Sequence, residues 1–199
     1  MSELFSIQLQ NRQQQGGDGV WLDLPTTTEQ VQAALRQIGI SSDNPQGLFI
    51  SGYFAEEEKR FAIPYNMVLA SNVDELNFLA SRLETLSTGE RAELNAALQA
   101  PQSELFSIGR ITDFPENVDY YVHLPDVHGP AQLGDYYLNR SGMVDMPEEW
   151  KGGIDTAQFG RYVAQQEQGV FTEYGYLVKS GDEWQKVHEG QPVPEEYRV

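Results

Sequence analysis

The chain contains no cysteine, and this absence excludes disulfide bonds, thiolate metal sites and cysteine nucleophiles. It also lacks an apolar run near the roughly 18 residues that a membrane-spanning helix requires. Its first residues, Met-Ser-Glu-Leu-Phe, have neither the basic nor the apolar region of a secretory signal. We therefore expect a soluble protein that acts in the cytoplasm, away from membranes.

Basic residues are scarce, since 13 Lys and Arg stand against 30 Asp and Glu, which gives a formal net charge of −17. The excess is spread along the chain: residues 1–100 hold 13 acids and six bases, and residues 101–199 hold 17 acids and seven bases. Hydrophobic residues make up 40% and aromatic residues 11%, which is more than a disordered acidic tail carries, so the chain is expected to fold. So acidic a folded protein repels nucleic acid and attracts basic protein surfaces.

Recognisable catalytic motifs are missing too. The sequence has no Gly-x-Ser-x-Gly elbow, P-loop or dinucleotide-binding fingerprint. The glycine-rich segment 16–19 lies between two predicted strands, where a hairpin loop is favoured over a phosphate site. Adjacent acids such as Glu148 and Glu149 are able to serve acid–base catalysis, but such pairs arise by chance in so acidic a chain. We predict no catalytic residue and no cofactor, with a carboxylate enzyme as the weaker alternative.

Three residues near position 125 are of the types that bind metal ions. His123, Asp126 and His128 are close in sequence, but Pro125 interrupts them and they lack the spacing of a helical pair of ligands. A loop at the end of a strand is the favoured interpretation. We predict no metal site.

The first 62 residues are predicted to form a ββαβ module. A hydroxyl at Thr26 with Glu29 three residues later has the spacing of a helix capping box. The apolar helical face that follows ends at Gly39, a natural stop, and residues 47–54 have the pattern of a third strand.

Two further modules are predicted. Residues 63–102 form a helical middle, in which a capping box at Ser71 opens a helix with a leucine stripe and a second helix follows from Ser87. Residues 103–199 form a β/α module. Its predicted strands lie near 104–111, 118–124 and 169–178, and its helices around 131–139 and 156–167. The predicted fold class is α+β, an elongated chain of small modules with antiparallel sheets and a helical middle.

The hexapeptide Ser-Glu-Leu-Phe-Ser-Ile occurs twice, at residues 2–7 and 103–108. A β-like run ending in Leu-Pro and a helical pattern follow each copy. This order indicates two modules of strand–strand–helix type, although six identical residues also arise by chance.

The densest acidic segment runs from residue 113 to residue 149 and contains one base, Arg140. Its irregular spacing and its Tyr and Leu content are typical of a folded segment. We predict that its acids bind a basic partner; they are Asp113, Glu116, Asp119, Asp126, Asp135, Asp145, Glu148 and Glu149. The interleaved tyrosines, Tyr120, Tyr121, Tyr136 and Tyr137, are favoured as core residues, with an interface role as the alternative.

Several stretches in order along the chain resemble the ArdA antirestriction family. They are Trp21-Leu22-Asp23-Leu24-Pro25, then Asp74-Glu75-Leu76-Asn77 to Leu83-Glu84-Thr85-Leu86, Leu133-Gly134-Asp135-Tyr136-Tyr137-Leu138, and Gly169 through Leu177. The resemblance covers about residues 20–178. The polar residues 11–15 and the sequence from Ser180 to Val199 depart from it.

The resemblance implies a protein of plasmids, transposons or phage that mimics bent double-stranded DNA. Such proteins occupy the DNA-binding groove of Type I restriction–modification enzymes, are built of three small modules and pair into a curved homodimer. The family's antirestriction motif falls at about Leu133–Trp150, so the resemblance assigns Asp135, Asp145, Glu148 and Glu149 to it. It implies no binding to nucleic acid itself.

Charge density limits how such mimicry works. Duplex DNA carries one charge per roughly 1.7 Å of axis, so the net charge of −17 corresponds to about 29 Å of duplex, and 30 carboxylates to about 51 Å. Mimicry therefore requires that carboxylates share one face and that the bases pair off or point elsewhere. The alternative is an acidic adaptor that binds another basic protein without imitating DNA.

Overall fold

A computed structural model describes residues 3–13, 17–41, 46–57 and 60–199. The strands are β1 (Phe5–Asn11), β2 (Val20–Leu24), β3 (Leu48–Phe54), β4 (Tyr121–Leu124), β5 (Val170–Thr172) and β6 (Gly175–Lys179). The helices are α1 (Thr28–Gln37), α2 (Tyr65–Leu69), α3 (Val73–Glu84), α4 (Thr88–Gln99), α5 (Ile108–Thr112), α6 (Pro130–Asp135), α7 (Glu148–Lys151) and α8 (Thr156–Glu167). Two antiparallel sheets with separate helices confirm the predicted α+β class. In the described ranges, no helix combines the length and apolar character that a membrane crossing demands.

Contacts divide the chain into two compact units. The first comprises Met1–Ser87, Leu105–Glu116 and Gln185–Val199, and the second comprises Thr88–Glu104 and Asn117–Trp184. The predicted helical middle therefore contributes α3 to the first unit and α4 to the second. Module boundaries near residues 62 and 102 stay a prediction.

The first unit is built around a three-stranded sheet in the order β2-β1-β3, with both pairings antiparallel. Successive side chains of β1 alternate between buried and partly exposed, because neighbouring residues of a strand point to opposite faces. Phe5, Ile7 and Leu9 are buried. The elements follow in the order β1, β2, α1, β3, and the described part of the 16–19 loop, residues 17–19, lies between two antiparallel strands.

Two of the predicted helix starts, those at Thr26 and Ser71, are each one residue early. The N-cap of α1 is Thr27, whose side chain accepts a hydrogen bond from the Gln30 backbone N–H. The N-cap of α3 is Asn72, which forms a full capping box with Glu75. Gly39 has a φ of 71°, so it ends α1 in the left-handed conformation that glycine adopts without strain, as expected.

The second copy of the hexapeptide does not form a strand, so the prediction for residues 104–111 is wrong. Ser107 caps helix α5 by accepting a hydrogen bond from the Arg110 backbone N–H at 3.2 Å. Phe5 in the first copy is 3% exposed in the sheet core, whereas Phe106 in the second copy is 63% exposed. Tertiary context decides between strand and helix here, since the local sequence is the same.

The second unit contains the sheet β4-β6-β5, which is antiparallel throughout. The single closing strand predicted at 169–178 is a hairpin of β5 and β6, because Gly175 at the turn has a φ of 119°. Val127, Leu133 and Tyr176 form the centre of the core, and Tyr136 and Tyr137 pack against it. Tyr120 and Tyr121 are buried as well. The interpretation of the tyrosines as core residues is confirmed.

Residues 185–199 return to the first unit. The ring of Phe78 on α3 packs edge-on against His188, with centroids 5.0 Å apart, and also contacts Tyr197 at 5.1 Å. The backbone N–H groups of His188 and Glu189 both donate to the carboxylate of Asp113. These contacts give a defined position to a segment whose sequence predicts no structure.

Candidate functional site

The eight acids predicted to bind a partner fall in both units. Asp113 and Glu116 belong to the first unit, and the other six belong to the second. Their surroundings differ in burial and in pairing with bases. These two properties decide which of the carboxylates offers its charge to a partner.

Asp113 is fully buried at the end of α5. Its Oδ1 atom accepts the N–H of His188 at 2.6 Å, and its Oδ2 atom accepts the N–H of Glu189 at 3.3 Å. The carboxylate thus accepts hydrogen bonds from two backbone N–H groups of residues 185–199 and is not exposed to solvent. We correct the prediction for Asp113, because this carboxylate is inaccessible to a partner in this structure.

Glu116 is the second acid of the first unit, and its charge is compensated. Its Oε1 atom pairs with the Arg82 guanidinium on α3, and both side chains are partly buried. The pair holds the 3₁₀ turn Phe114–Glu116 beside α3. A compensated charge of this kind attracts a partner weakly.

Two candidate acids of the second unit, Asp135 and Glu148, are also paired, but at the surface. Asp135 lies 3.4 Å from Nη2 of Arg140 and accepts a hydrogen bond from Asn139 at 2.8 Å. Glu148 lies 2.6 Å from Nζ of Lys151. Because exposed ion pairs are weak, a partner's cations are able to compete for both carboxylates.

The other four candidate acids of the second unit are exposed and form no ion pair with a described residue: Asp119, Asp126, Asp145 and Glu149. Asp119 precedes β4 and is near Glu93. Asp126, Asp145 and Glu149 have no hydrogen bond or ion pair with any part of the chain that the structure describes. We call these three the open carboxylates. Each of the three carboxyl groups is exposed to solvent.

Bases in both units form ion pairs. In the first unit Arg82 pairs with Glu116 and Lys186 with Glu189, and in the second unit Arg140 pairs with Asp135 and Lys151 with Glu148. Arg110 pairs with Glu189 at 2.9 Å, and Lys179 pairs with Glu104 at 2.9 Å. Arg140, Lys151 and Lys179 of the second unit are thus held in ion pairs, as the bases of an acidic binding surface need to be.

The histidine and aspartate set near β4 has other contacts. Nε2 of His123 lies 2.7 Å from the carbonyl oxygen of Tyr174, at the turn between β5 and β6. Within residues 3–13, 17–41, 46–57 and 60–199, no three His or acidic side chains lie close enough to hold a metal ion.

Glu93 on α4 is a carboxyl group that the sequence pattern does not single out. Its Oε1 atom is buried and has no hydrogen-bond partner among the described residues. Burial, together with the charges of Asp119 and Glu90, raises the pKa of Glu93 to about 8. At pH 7 the protonated form of Glu93 therefore predominates.

We expect Glu93→Gln to stabilise the protein increasingly as the pH rises from 5 to 8. The pKa of Glu93 is higher in the folded chain than its ordinary value of 4.5, so the wild type loses stability across this window while the amide does not. After allowance for solvent screening, the gain is about 1–2 kcal/mol at pH 8. Urea titrations at pH 4, 6 and 8 measure it, with Glu196→Gln as an exposed control. A gain of equal size at all three pH values would contradict the assignment.

The comparison with known families covers both units. The family model of the antirestriction protein ArdA matches residues 16–178 of the chain, a range that holds all eight candidate acids. A search of curated proteins found no match. Because the matched range spans most of the 199 residues, the likeness is not confined to one motif. The chain therefore belongs to the ArdA family of antirestriction proteins.

Proposed function

We propose that the protein mimics double-stranded DNA and occupies the DNA-binding groove of a Type I restriction–modification enzyme. Membership of the ArdA family implies the antirestriction function, and mimicry is the mechanism we propose for it. The observation that carries the proposal is the division of charge. Arg140, Lys151 and Lys179 are held in ion pairs, while Asp126, Asp145 and Glu149 stay open to solvent.

This division suits a groove that binds phosphates. Such a groove presents Lys and Arg side chains at the positions of the DNA backbone, and each contact with an anion releases counterions. An open carboxylate takes the place of a phosphate oxygen without first breaking an ion pair. The second unit holds 14 acids and five bases, a net charge of −9. Its negative electrostatic field therefore attracts the positively charged groove.

The proposed surface is smaller than the predicted set. We propose that it comprises the six acids of the second unit, in which the open carboxylates contribute most and the paired Asp135 and Glu148 contribute less. Asp113 and Glu116 act inside the first unit. We also propose that two copies form a homodimer in the cytoplasm, since pairing doubles the number of carboxylates available to one groove.

A cleavage and competition experiment tests the proposal. We expect the protein to inhibit DNA cleavage by a Type I enzyme, and we expect non-specific duplex DNA to displace it from that enzyme. Inhibition that duplex DNA does not relieve would favour an acidic adaptor bound at another surface. Turnover of a substrate by the protein alone would favour the enzyme alternative.

A further inference from the structure

The segment from Met143 to Trp150 projects two large apolar side chains into solvent. Met143 is 75% exposed and Trp150 is 66% exposed, the two highest values among the large hydrophobic residues that the structure describes. Three acids of the proposed surface, Asp145, Glu148 and Glu149, lie in the same eight residues. We call residues 143–150 the anchor segment.

Trp150 differs from the other two tryptophans in its surroundings. Trp184 is half-buried, and its ring lies 5.1 Å from that of Tyr120. Trp21 lies over Gly52, where an added Cβ would come within 2.9 Å of the indole. Trp150 sits in the four-residue helix α7, with Glu149 on one side and Lys151 on the other. Its exposure points to a role outside the fold, because exposed aromatic residues concentrate at binding sites.

The charges around Trp150 favour contact with a positively charged side chain of a partner. Glu149 is an open carboxylate, and Lys151, the base nearest in sequence, is held by Glu148 at 2.6 Å. The aliphatic part of a partner's Lys or Arg side chain is able to pack on the indole face, where its positive charge also makes a cation–π contact. The charged group at its end is then able to pair with a neighbouring carboxylate. A second copy of this chain would bring further acids against these acids, which costs free energy.

We propose that Trp150, supported by Met143, is an apolar anchor that packs against Lys and Arg side chains in the groove of the restriction enzyme. This inference rests on the proposed function. It adds to that function a contact that duplex DNA lacks, since a phosphate backbone presents no exposed indole.

The anchor also accounts for how a protein of lower charge density competes with DNA. Salt weakens the binding of DNA because each phosphate contact releases counterions. An indole packed on an aliphatic side chain releases no counterions, so the binding free energy that it contributes is retained at high salt. The inhibitor is thereby expected to retain affinity under conditions in which duplex DNA dissociates.

Binding to the Type I enzyme, measured between about 50 and 200 mM salt, tests the anchor. We expect Trp150→Ala to raise Kd by about 10- to 30-fold at every salt concentration and to leave the slope of log Kd against log salt unchanged. Trp150→Phe, which keeps an aromatic face, restores part of the loss. Asp145→Asn is the electrostatic comparison and makes the slope less steep.

The matched control is Tyr162→Ala, which removes another exposed aromatic side chain, one that lies beside Arg161 on α8. We expect it to change Kd by less than about threefold, within the range of non-anchor contacts. Sedimentation of each variant measures self-association in parallel. If Trp150→Ala changes Kd no more than the control, or changes it only by dissociating a dimer, the anchor proposal is overturned while inhibition by the wild type still stands. Loss of competition between wild type and duplex DNA would instead overturn the proposed function.

Discussion

Replacing Gly160 with alanine is expected to destabilise the second unit by about 3–5 kcal/mol. Gly160 lies on α8, where it faces the backbone of α6. A Cβ added there would lie 1.8 Å from the carbonyl oxygen of Pro130 and 2.8 Å from the backbone nitrogen of Gly134. Both are backbone atoms of α6 that no rotamer change moves. Alanine therefore forces the two helices apart and opens the core around Leu133.

The contact is reciprocal, which allows a second variant to test it. A Cβ at Gly134 would lie 1.9 Å from the carbonyl oxygen of Thr156, the first residue of α8. Gly134→Ala is expected to be as damaging as Gly160→Ala. The matched control is Gly152→Ala, because Gly152 has a φ of −64° and no atom within 4 Å of its added Cβ.

Urea unfolding followed by circular dichroism measures the effect. We expect the midpoint to fall by about 1–3 M for Gly160→Ala and to stay within about 0.3 M of the wild type for Gly152→Ala. Equal midpoints for Gly160→Ala and Gly152→Ala would show that α6 and α8 do not meet at these glycines.

This helix crossing shows what the sequence indicated and what it did not. The apolar spacing of residues 156–167 predicts α8 with the bounds that the structure has, because periodic burial is a local property. The glycines on facing helices carry no such local signal. Their role depends on which backbone atoms lie opposite, and only the packed unit determines that.

The repeated hexapeptide shows the same limit for strands. In β1, Ile7 pairs across the sheet with Leu22 and with Tyr53, and these partners make it a core residue. In the second copy, Ser107 is an N-cap and Ile108 begins a helix. A strand is stabilised by its cross-strand neighbours, so its sequence alone does not determine it.

Charge density located an acidic segment, but it did not separate its members. Asp113 and Asp126 are equivalent in the sequence pattern, yet one is buried against the N–H groups of His188 and Glu189 and the other is exposed. The donors that hold Asp113 lie 75 and 76 residues away in sequence. The raised pKa of Glu93 likewise depends on a residue beyond its own helix, Asp119.

Neutralising the open carboxylates is expected to weaken binding to the Type I enzyme and to reduce its dependence on salt. The triple variant Asp126→Asn, Asp145→Asn, Glu149→Gln keeps the shape of each side chain and removes its charge. If each carboxylate replaces one phosphate, the slope of log affinity against log salt becomes less steep by about 2.7, since each contact contributes about 0.9. At low salt the affinity falls by about 10- to 100-fold, and at high salt the variant and the wild type converge.

Placement, rather than total charge, is what this variant tests. A control of the same charge change, Asp18→Asn, Glu195→Gln, Glu196→Gln, alters exposed acids of the first unit that lie outside the proposed surface. Because those acids act only through the long-range field, their loss is expected to slow association by a few-fold and to leave most of the salt slope in place. Equal slopes for the two triple variants would show that the enzyme senses the net charge of the chain and not carboxylates at particular positions. A groove that is shaped for phosphates is expected to lose affinity for the first triple variant and to keep most of its affinity for the second. At 0.1 M salt, charges farther from the groove than a Debye length of about 10 Å are screened and contribute little to binding.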